Sequence, residues 1–130
     1  MSNKRRYIEI AGRIVVGTVG IVLVLAGVLK LVGVGAEDMV EGLAKANLIQ
    51  HKTLISVTAL VCGGLLLLPR IWPVGVLMAT AYWGGAIVAH LTYNDSVIMP
   101  AVFLALLWFG TGICFLATTK NVQLMKEKGE

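Results

Sequence analysis

The chain has 130 residues, of which 58% are hydrophobic and 14% charged, and its formal net charge is +4. Together with a mean hydropathy of +0.86, this composition excludes the soluble globular and disordered classes and indicates an integral membrane protein. The basic residues are spread by position along the chain and do not form one basic face, so the charge does not indicate nucleic-acid binding.

Four apolar stretches predict four transmembrane helices, because a bilayer core about 30 Å thick needs roughly 20 apolar residues per helix. The predicted spans are about residues 14–32, 48–68, 71–91 and 97–118. They leave no room for a second domain, so we expect one transmembrane domain over residues 1–130, an all-α four-helix bundle. The first stretch also resembles a signal peptide, but it is long and Gly33-Val34-Gly35-Ala36 is a poor cleavage site.

Small residues in the first and third spans predict close contacts between helices. They are Gly17, Gly20 and Gly27 in the first span and Ala81, Gly85 and Ala89 in the third. Pro73 and Pro100 fall in the first turns of the third and fourth spans, where a helix does not need the missing N–H.

The connection between the first two spans contains a predicted amphipathic helix. One face is apolar and the other charged: Met39, Val40, Leu43, Ala46 and Leu48 lie opposite Glu37, Asp38, Glu41 and Lys45. This pattern is typical of a short helix that lies along a membrane interface.

The distribution of basic residues predicts the topology. Eight of the 11 precede the first span, lie in the second turn or follow the fourth span: Lys4, Arg5, Arg6, Arg13, Arg70, Lys120, Lys126 and Lys128. The positive-inside rule therefore predicts a multi-pass protein of the cell (inner) membrane with cytoplasmic N- and C-termini.

The cysteines and histidines do not form a reactive or metal-binding motif. Cys62 and Cys114 lie inside two spans without a Cys-x-x-Cys pair, so we expect small packing residues and no thiol oxidoreductase. His51 and His90 are far apart, and no ligand spacing indicates a metal or a haem. We therefore predict no catalytic residue, no metal site and no intrinsic cofactor.

Three segments make the chain similar to the DoxX-like membrane proteins. They are Gly27-Val28-Leu29-Lys30-Leu31, Gly63-Gly64-Leu65-Leu66-Leu67-Leu68-Pro69-Arg70 and Gly84-Gly85-Ala86-Ile87-Val88-Ala89-His90-Leu91. The resemblance covers about residues 13–116 and implies a four-helix membrane bundle associated with redox, detoxification or receptor assemblies, among them thiosulfate:quinone oxidoreductase. Members often carry an acidic residue early in the second span; this chain has Thr58 there, so the resemblance does not extend to a role for that carboxylate.

Polar and aromatic residues near the outer ends of the spans predict a ligand-binding cluster of Lys30, Trp83, His90 and Tyr93. Trp83 and His90, seven residues apart, share one helix face, and Tyr82 and Tyr93 share a neighbouring one. Aromatic faces suit a flat ring, and Lys and His can donate to carbonyl oxygens, so we expect a bound quinone or another flat amphipathic molecule. Snorkelling of Lys30, a backbone bond of His90 and a belt role of Tyr93 remain open.

Three functions remain open. The first is a small membrane subunit that binds a quinone-like or lipid-like molecule within a redox assembly. Because no flavin or nucleotide fingerprint is present, electrons would come from a partner redox subunit. The second is a non-enzymatic module that assembles with a partner membrane protein. The third is a small exporter acting as a homo-oligomer, which is weaker because no Asp or Glu lies within a predicted span.

Overall fold

A computed structural model describes residues 3–35 and 37–129, and this part of the chain contains helices and no strand. In chain order the α-helices are α1 (Asn3–Val32), α2 (Glu37–Lys45), α3 (Lys52–Leu67), α4 (Trp72–Thr92) and α5 (Ile98–Gly129), with a 3-10 helix at Ile49–His51. Four segments are long and apolar enough to cross a membrane: Arg6–Val32, Ile49–Leu67, Trp72–Thr92 and Ile98–Thr119. The prediction of an all-α chain with four such helices is confirmed, although α1 begins well before residue 14.

The four long helices form a ring. Helix α1 packs mainly against α3 and α5, and α4 packs mainly against the same two helices. Since each connection reverses the chain direction, α1 and α4 run parallel on one diagonal of the ring. We call the end of the bundle where α1 begins and α5 finishes the terminal end, and the opposite end, where α2 lies, the α2 end.

Glycines bring the backbones of α1 and α3 into direct contact. A Cβ atom added at Gly63 would lie 2.6 Å from the carbonyl oxygen of Gly20, and one added at Gly27 would lie 2.9 Å from that of Ser56. The predicted close-packing role is confirmed for Gly20 and Gly27, whereas Gly17 has no neighbour within 4 Å of its Cβ position. Buried Leu23, Leu66 and Leu107 fill the core beside these contacts.

Both cysteines are small buried residues without a disulfide. Cys62 and Cys114 are 0% and 3% exposed, and each is a free thiol. The prediction that they serve packing is confirmed, because neither sulfur is accessible at a surface where thiol exchange could occur.

The ends of the helices follow local sequence signals. Gly33 and Gly35 have φ angles of +77° and +67°, a conformation that glycine adopts without a side-chain penalty, and they end α1 ahead of α2. At the terminal end Pro73 lies in the first turn of α4, as predicted, where its missing N–H is not needed.

Candidate functional site

A cleft of about 590 Å³ lies at the α2 end of the bundle. Its walls come from α1, α3 and α4, and α2 and the turn after α4 lie at its mouth. We call it the Lys30 cleft, after the residue that α1 contributes. Its polar residues are Lys30, Asp38, His51, Thr58, Tyr82, His90, Tyr93 and Asp95.

A polar contact in the cleft joins two helices across the ring. The Lys30 ammonium donates a hydrogen bond of 2.9 Å to the hydroxyl oxygen of Tyr82, and Lys30 Nζ lies 5.7 Å from the centre of that ring. Lys30 belongs to the last turn of α1, where a cation interacts favourably with the helix dipole. Tyr82 lies midway along α4, so the lysine side chain reaches inward from the helix end towards the middle of the bundle.

Small residues of α4 give the cleft its width. Ala81, Gly85 and Ala89 line it, and no atom lies within 4 Å of a Cβ position built on Gly85. At Gly85 the predicted close packing against another helix of this chain is therefore wrong, and all three residues face the cleft instead. α4 does approach α3 closely at Gly75, whose Cβ position lies 2.7 Å from the backbone nitrogen of Leu66.

The rest of the wall is mainly apolar and partly open. Leu54 and Ile55 of α3 face Ala86 of α4, and Met39 and Leu43 of α2 lie above them. Leu54 is 65% exposed, so the cleft is open at its side next to the start of α3. A ligand with an apolar tail can leave the cleft by this route.

The mouth of the cleft carries His90, Tyr93 and Asp95. His90 Nδ1 lies 3.2 Å from Asp95 Oδ2, but this nitrogen is not aligned for a hydrogen bond. The His90 and Tyr93 rings lie 5.3 Å apart. The turn itself fixes the placement, because the Asp95 N–H donates a 2.9 Å bond to the His90 carbonyl oxygen and Asn94 takes a φ of 58°.

Tyr93 also touches α2. A Cβ atom at Gly42 would lie 3.1 Å from the Tyr93 hydroxyl oxygen, so glycine at this position lets α2 approach the end of α4. Burial, and secondarily the Asp95 carboxylate, raise the pKa of Tyr93 above its ordinary value. Like an ordinary phenol, its hydroxyl is protonated at neutral pH and can donate to a ligand at the mouth.

Three of the four residues predicted from the sequence line the same cleft: Lys30, His90 and Tyr93. Trp83 does not. It is 9% exposed and stacks on Phe103 of α5 at a ring distance of 5.0 Å, so it packs in the core behind the cleft. It still contacts the site indirectly, because its ring lies edge-on to Tyr82 at 5.6 Å.

The sequence interpretation missed Tyr82 as a site residue. A spacing signal was present, since Tyr82, Gly85, Ala89 and Tyr93 recur at intervals of three and four residues and therefore share one face of α4. Thr58 also lines the cleft, and its hydroxyl donates to the Leu54 carbonyl oxygen at 2.8 Å.

A second, smaller groove of about 310 Å³ lies at the terminal end, beside Arg13. The Arg13 guanidinium carbon lies 5.0 Å from the centre of a Trp72 ring, which is a cation–π contact between α1 and the first turn of α4. The groove is shallow and Glu9 also lines it. Its lining residues belong to α1 and α3, and the Arg13–Trp72 contact holds α1 to the start of α4 beside it.

In the described residues, no three His, Cys, Asp or Glu side chains come together as they would around a metal ion. His51 and His90 do line the same cleft, although the sequence interpretation separated them. The site thus consists of hydrogen-bond donors and aromatic rings set in apolar walls, an arrangement suited to binding.

Comparison of the chain with protein-family models, with curated proteins and with solved structures finds no match. The resemblance to the DoxX-like proteins therefore depends on the three sequence segments alone.

Proposed function

We propose that this protein is a small membrane-spanning subunit that binds a quinone-like or lipid-like molecule in the Lys30 cleft. The observation that carries the proposal is the bond between Lys30 and Tyr82, which sets two hydrogen-bond donors into a largely apolar cleft of about 590 Å³. Cavities of about 300–1,000 Å³ with apolar walls and a few convergent polar groups are typical of small-molecule sites.

The arrangement supports a defined mode of binding. A carbonyl-type oxygen accepts hydrogen bonds from Lys30 and Tyr82, and the apolar body of the molecule lies against the small residues of α4. Tyr93 and His90 contact the part of the molecule nearest the mouth. The tail leaves past Leu54, which is largely exposed, into the surrounding acyl chains.

The proposed role is binding in support of another subunit. The sequence contains no flavin or nucleotide fingerprint and no reactive cysteine pair, so a redox partner would supply the electrons for any quinone chemistry. This chain would hold the head group, exclude water from it and present it to that partner.

Removing the Tyr82 hydroxyl should weaken this binding. In Tyr82→Phe the ring stays, but the head group loses one donor and Lys30 loses its acceptor. We expect about three- to tenfold weaker binding of decylubiquinone to protein in nanodiscs, as one neutral hydrogen bond predicts. The measurement is competition against a photoreactive decyl-quinone whose adducts are mapped to peptides.

Tyr7→Phe is the matched control, because Tyr7 is 70% exposed and lies far from the cleft. It should bind as the unmodified protein does. Adducts that fall outside α1, α3 and α4, or equal affinities for Tyr82→Phe and Tyr7→Phe, would contradict the proposed site.

The membrane orientation is part of the proposal. Most basic residues flank the terminal end, so we place both termini on the cytoplasmic side of the cell (inner) membrane. The α2 end then faces outwards, and α2, which has no buried residue, lies along the outer interface with its apolar side over the cleft.

Single cysteines test this orientation. We expect Asn94→Cys to react with a membrane-impermeant maleimide in intact cells, and Asn3→Cys to react only after permeabilisation. The unmodified protein is the control, because its buried Cys62 and Cys114 should not react. The reverse labelling pattern would show that the chain is inserted the other way round.

A second candidate is an assembly module, which one observation favours. The α4 positions Ala81, Gly85 and Ala89 have the small-residue spacing of helix–helix contacts, and the described chain places nothing against Gly85. A partner helix could pack there. Such packing does not use the hydrogen-bond donors of Lys30 and Tyr82. Tyr82→Phe should therefore weaken ligand binding and leave assembly with a partner helix unchanged.

A further inference from the structure

The inner part of the Lys30 cleft offers hydrogen-bond donors. A lysine ammonium has three N–H groups and no acceptor, and one of them is used by the Tyr82 oxygen. Because that oxygen accepts the bond, the Tyr82 O–H proton is left free to donate. The Thr58 hydroxyl already donates its proton to the Leu54 carbonyl oxygen, so this proton is not offered to a ligand.

The same part of the cleft is also positively charged. In the described residues, two contacts within 4 Å join a basic side chain to a carboxylate: Lys45 with Glu41, and the His90 ring with Asp95. Neither involves Lys30, whose hydrogen-bond partner is a neutral hydroxyl. Lys30 is partly buried, and a charge in such a place is stabilised when an opposite charge pairs with it.

The acidic residues of the cleft are placed differently. Asp38 lies on α2 and Asp95 in the turn after α4, so both are at the mouth and Lys30 is further inside. An anionic head group left at the mouth would be repelled by these carboxylates. An anionic head inserted as far as Lys30 would be attracted.

We infer that the cleft selects an amphiphile with a carboxylate head and a long apolar tail, such as a long-chain carboxylic acid. This inference depends on the proposed function of the same site and specifies the charge of its ligand. The two carboxylate oxygens match the two donors, Lys30 N–H and Tyr82 O–H, and one negative charge neutralises the Lys30 ammonium. A phosphomonoester head would bring up to two negative charges, of which the single Lys30 ammonium neutralises one.

The test compares a carboxylate and a hydroxyl head group on the same oleyl tail, with decylubiquinone as a third competitor. Protein in nanodiscs of zwitterionic lipid is labelled with a diazirine-bearing palmitate, and oleate, oleyl alcohol and decylubiquinone compete for the label. We expect oleate to displace the label at a concentration about tenfold or more below that of oleyl alcohol, as a hydrogen bond to a charged group predicts. The adduct should map to cleft residues of α1, α3 or α4.

Two variants identify the residue responsible. Lys30→Met should remove the preference for oleate over oleyl alcohol, whereas Lys52→Met, which changes another lysine at the α2 end outside the cleft, should keep it. Thr58→Asp adds a carboxylate to the cleft wall and should weaken oleate more than decylubiquinone. If Lys30→Met does not fold, the Thr58→Asp variant still tests whether the cleft prefers an anionic head group.

Each outcome has a distinct meaning. Equal competition by oleate and oleyl alcohol, or a preference that persists in both Lys30→Met and Thr58→Asp, would overturn the inference. If decylubiquinone still binds in the cleft, the proposed function survives that result. If neither a fatty acid nor a quinone labels the cleft, the inference and the proposed function are both wrong.

Discussion

Replacing Gly63 with alanine is expected to destabilise the bundle more than any other single-methyl addition along α3. The new Cβ would lie 2.6 Å from the Gly20 carbonyl oxygen and 2.9 Å from the Val24 backbone nitrogen. Backbone atoms cannot rotate away as a side chain does, so α1 and α3 must separate along their longest contact. We expect a loss of about 1–3 kcal/mol in the free energy of unfolding, the usual range for overpacking.

Gly64→Ala is the matched control, since it adds the same methyl one residue later on the same helix. No atom lies within 4 Å of its Cβ position, and alanine favours a helix over glycine by up to about 1 kcal/mol in soluble hosts. It should be neutral or slightly stabilising. Denaturation midpoints in detergent micelles measure both variants, and equal midpoints would show that the helices do not meet at Gly63.

Replacing Gly85 with phenylalanine is expected to abolish ligand binding while the bundle stays folded. Gly85 lines the Lys30 cleft and has no neighbour within 4 Å of its Cβ position. A benzyl group there would occupy space that the ligand needs without meeting another helix of this chain. Competition against the photoreactive decyl-quinone should show no specific labelling, with the denaturation midpoint unchanged.

The neighbouring glycine provides the control for this experiment. Gly84 also has no neighbour within 4 Å of its Cβ position, but it does not line the cleft, so Gly84→Phe should retain binding. If Gly85→Phe binds the quinone normally, the cleft is not the site. If both variants lose binding and also unfold, the two phenylalanines disturb packing, and the cleft should then be narrowed with Gly85→Ala.

Local sequence features predicted the four spans and several helix ends, but not the start of α1 or the end of α5, which lie outside the predicted spans. The apolar runs were long enough to define four spans, and Pro73 and Gly33 mark helix ends through their own backbone preferences. The amphipathic pattern of residues 37–48 likewise predicted a helix where α2 is found. These features depend on neighbours in the chain, so no knowledge of the fold was needed to read them.

The site was predicted only in part. Lys30, His90 and Tyr93 could be assigned to one end of the bundle, because the directions of the helices follow from the number of spans. Trp83 was assigned to the ligand, but the structure places its ring against Phe103 in the core. Tyr82, one residue earlier, contacts Lys30 instead.

Only the tertiary structure decided which side of each long helix faces the cleft. Apolar residues occur on most sides of α3, of α4 and of the part of α5 before Thr118, so their sequence periodicity does not show which residues are buried. Their rotation is set by contacts between distant residues, such as Gly63 with Gly20 and Gly75 with Leu66. The sequence therefore determined that a lysine and aromatic residues lie near one end of the bundle, and packing determined that Lys30 meets Tyr82.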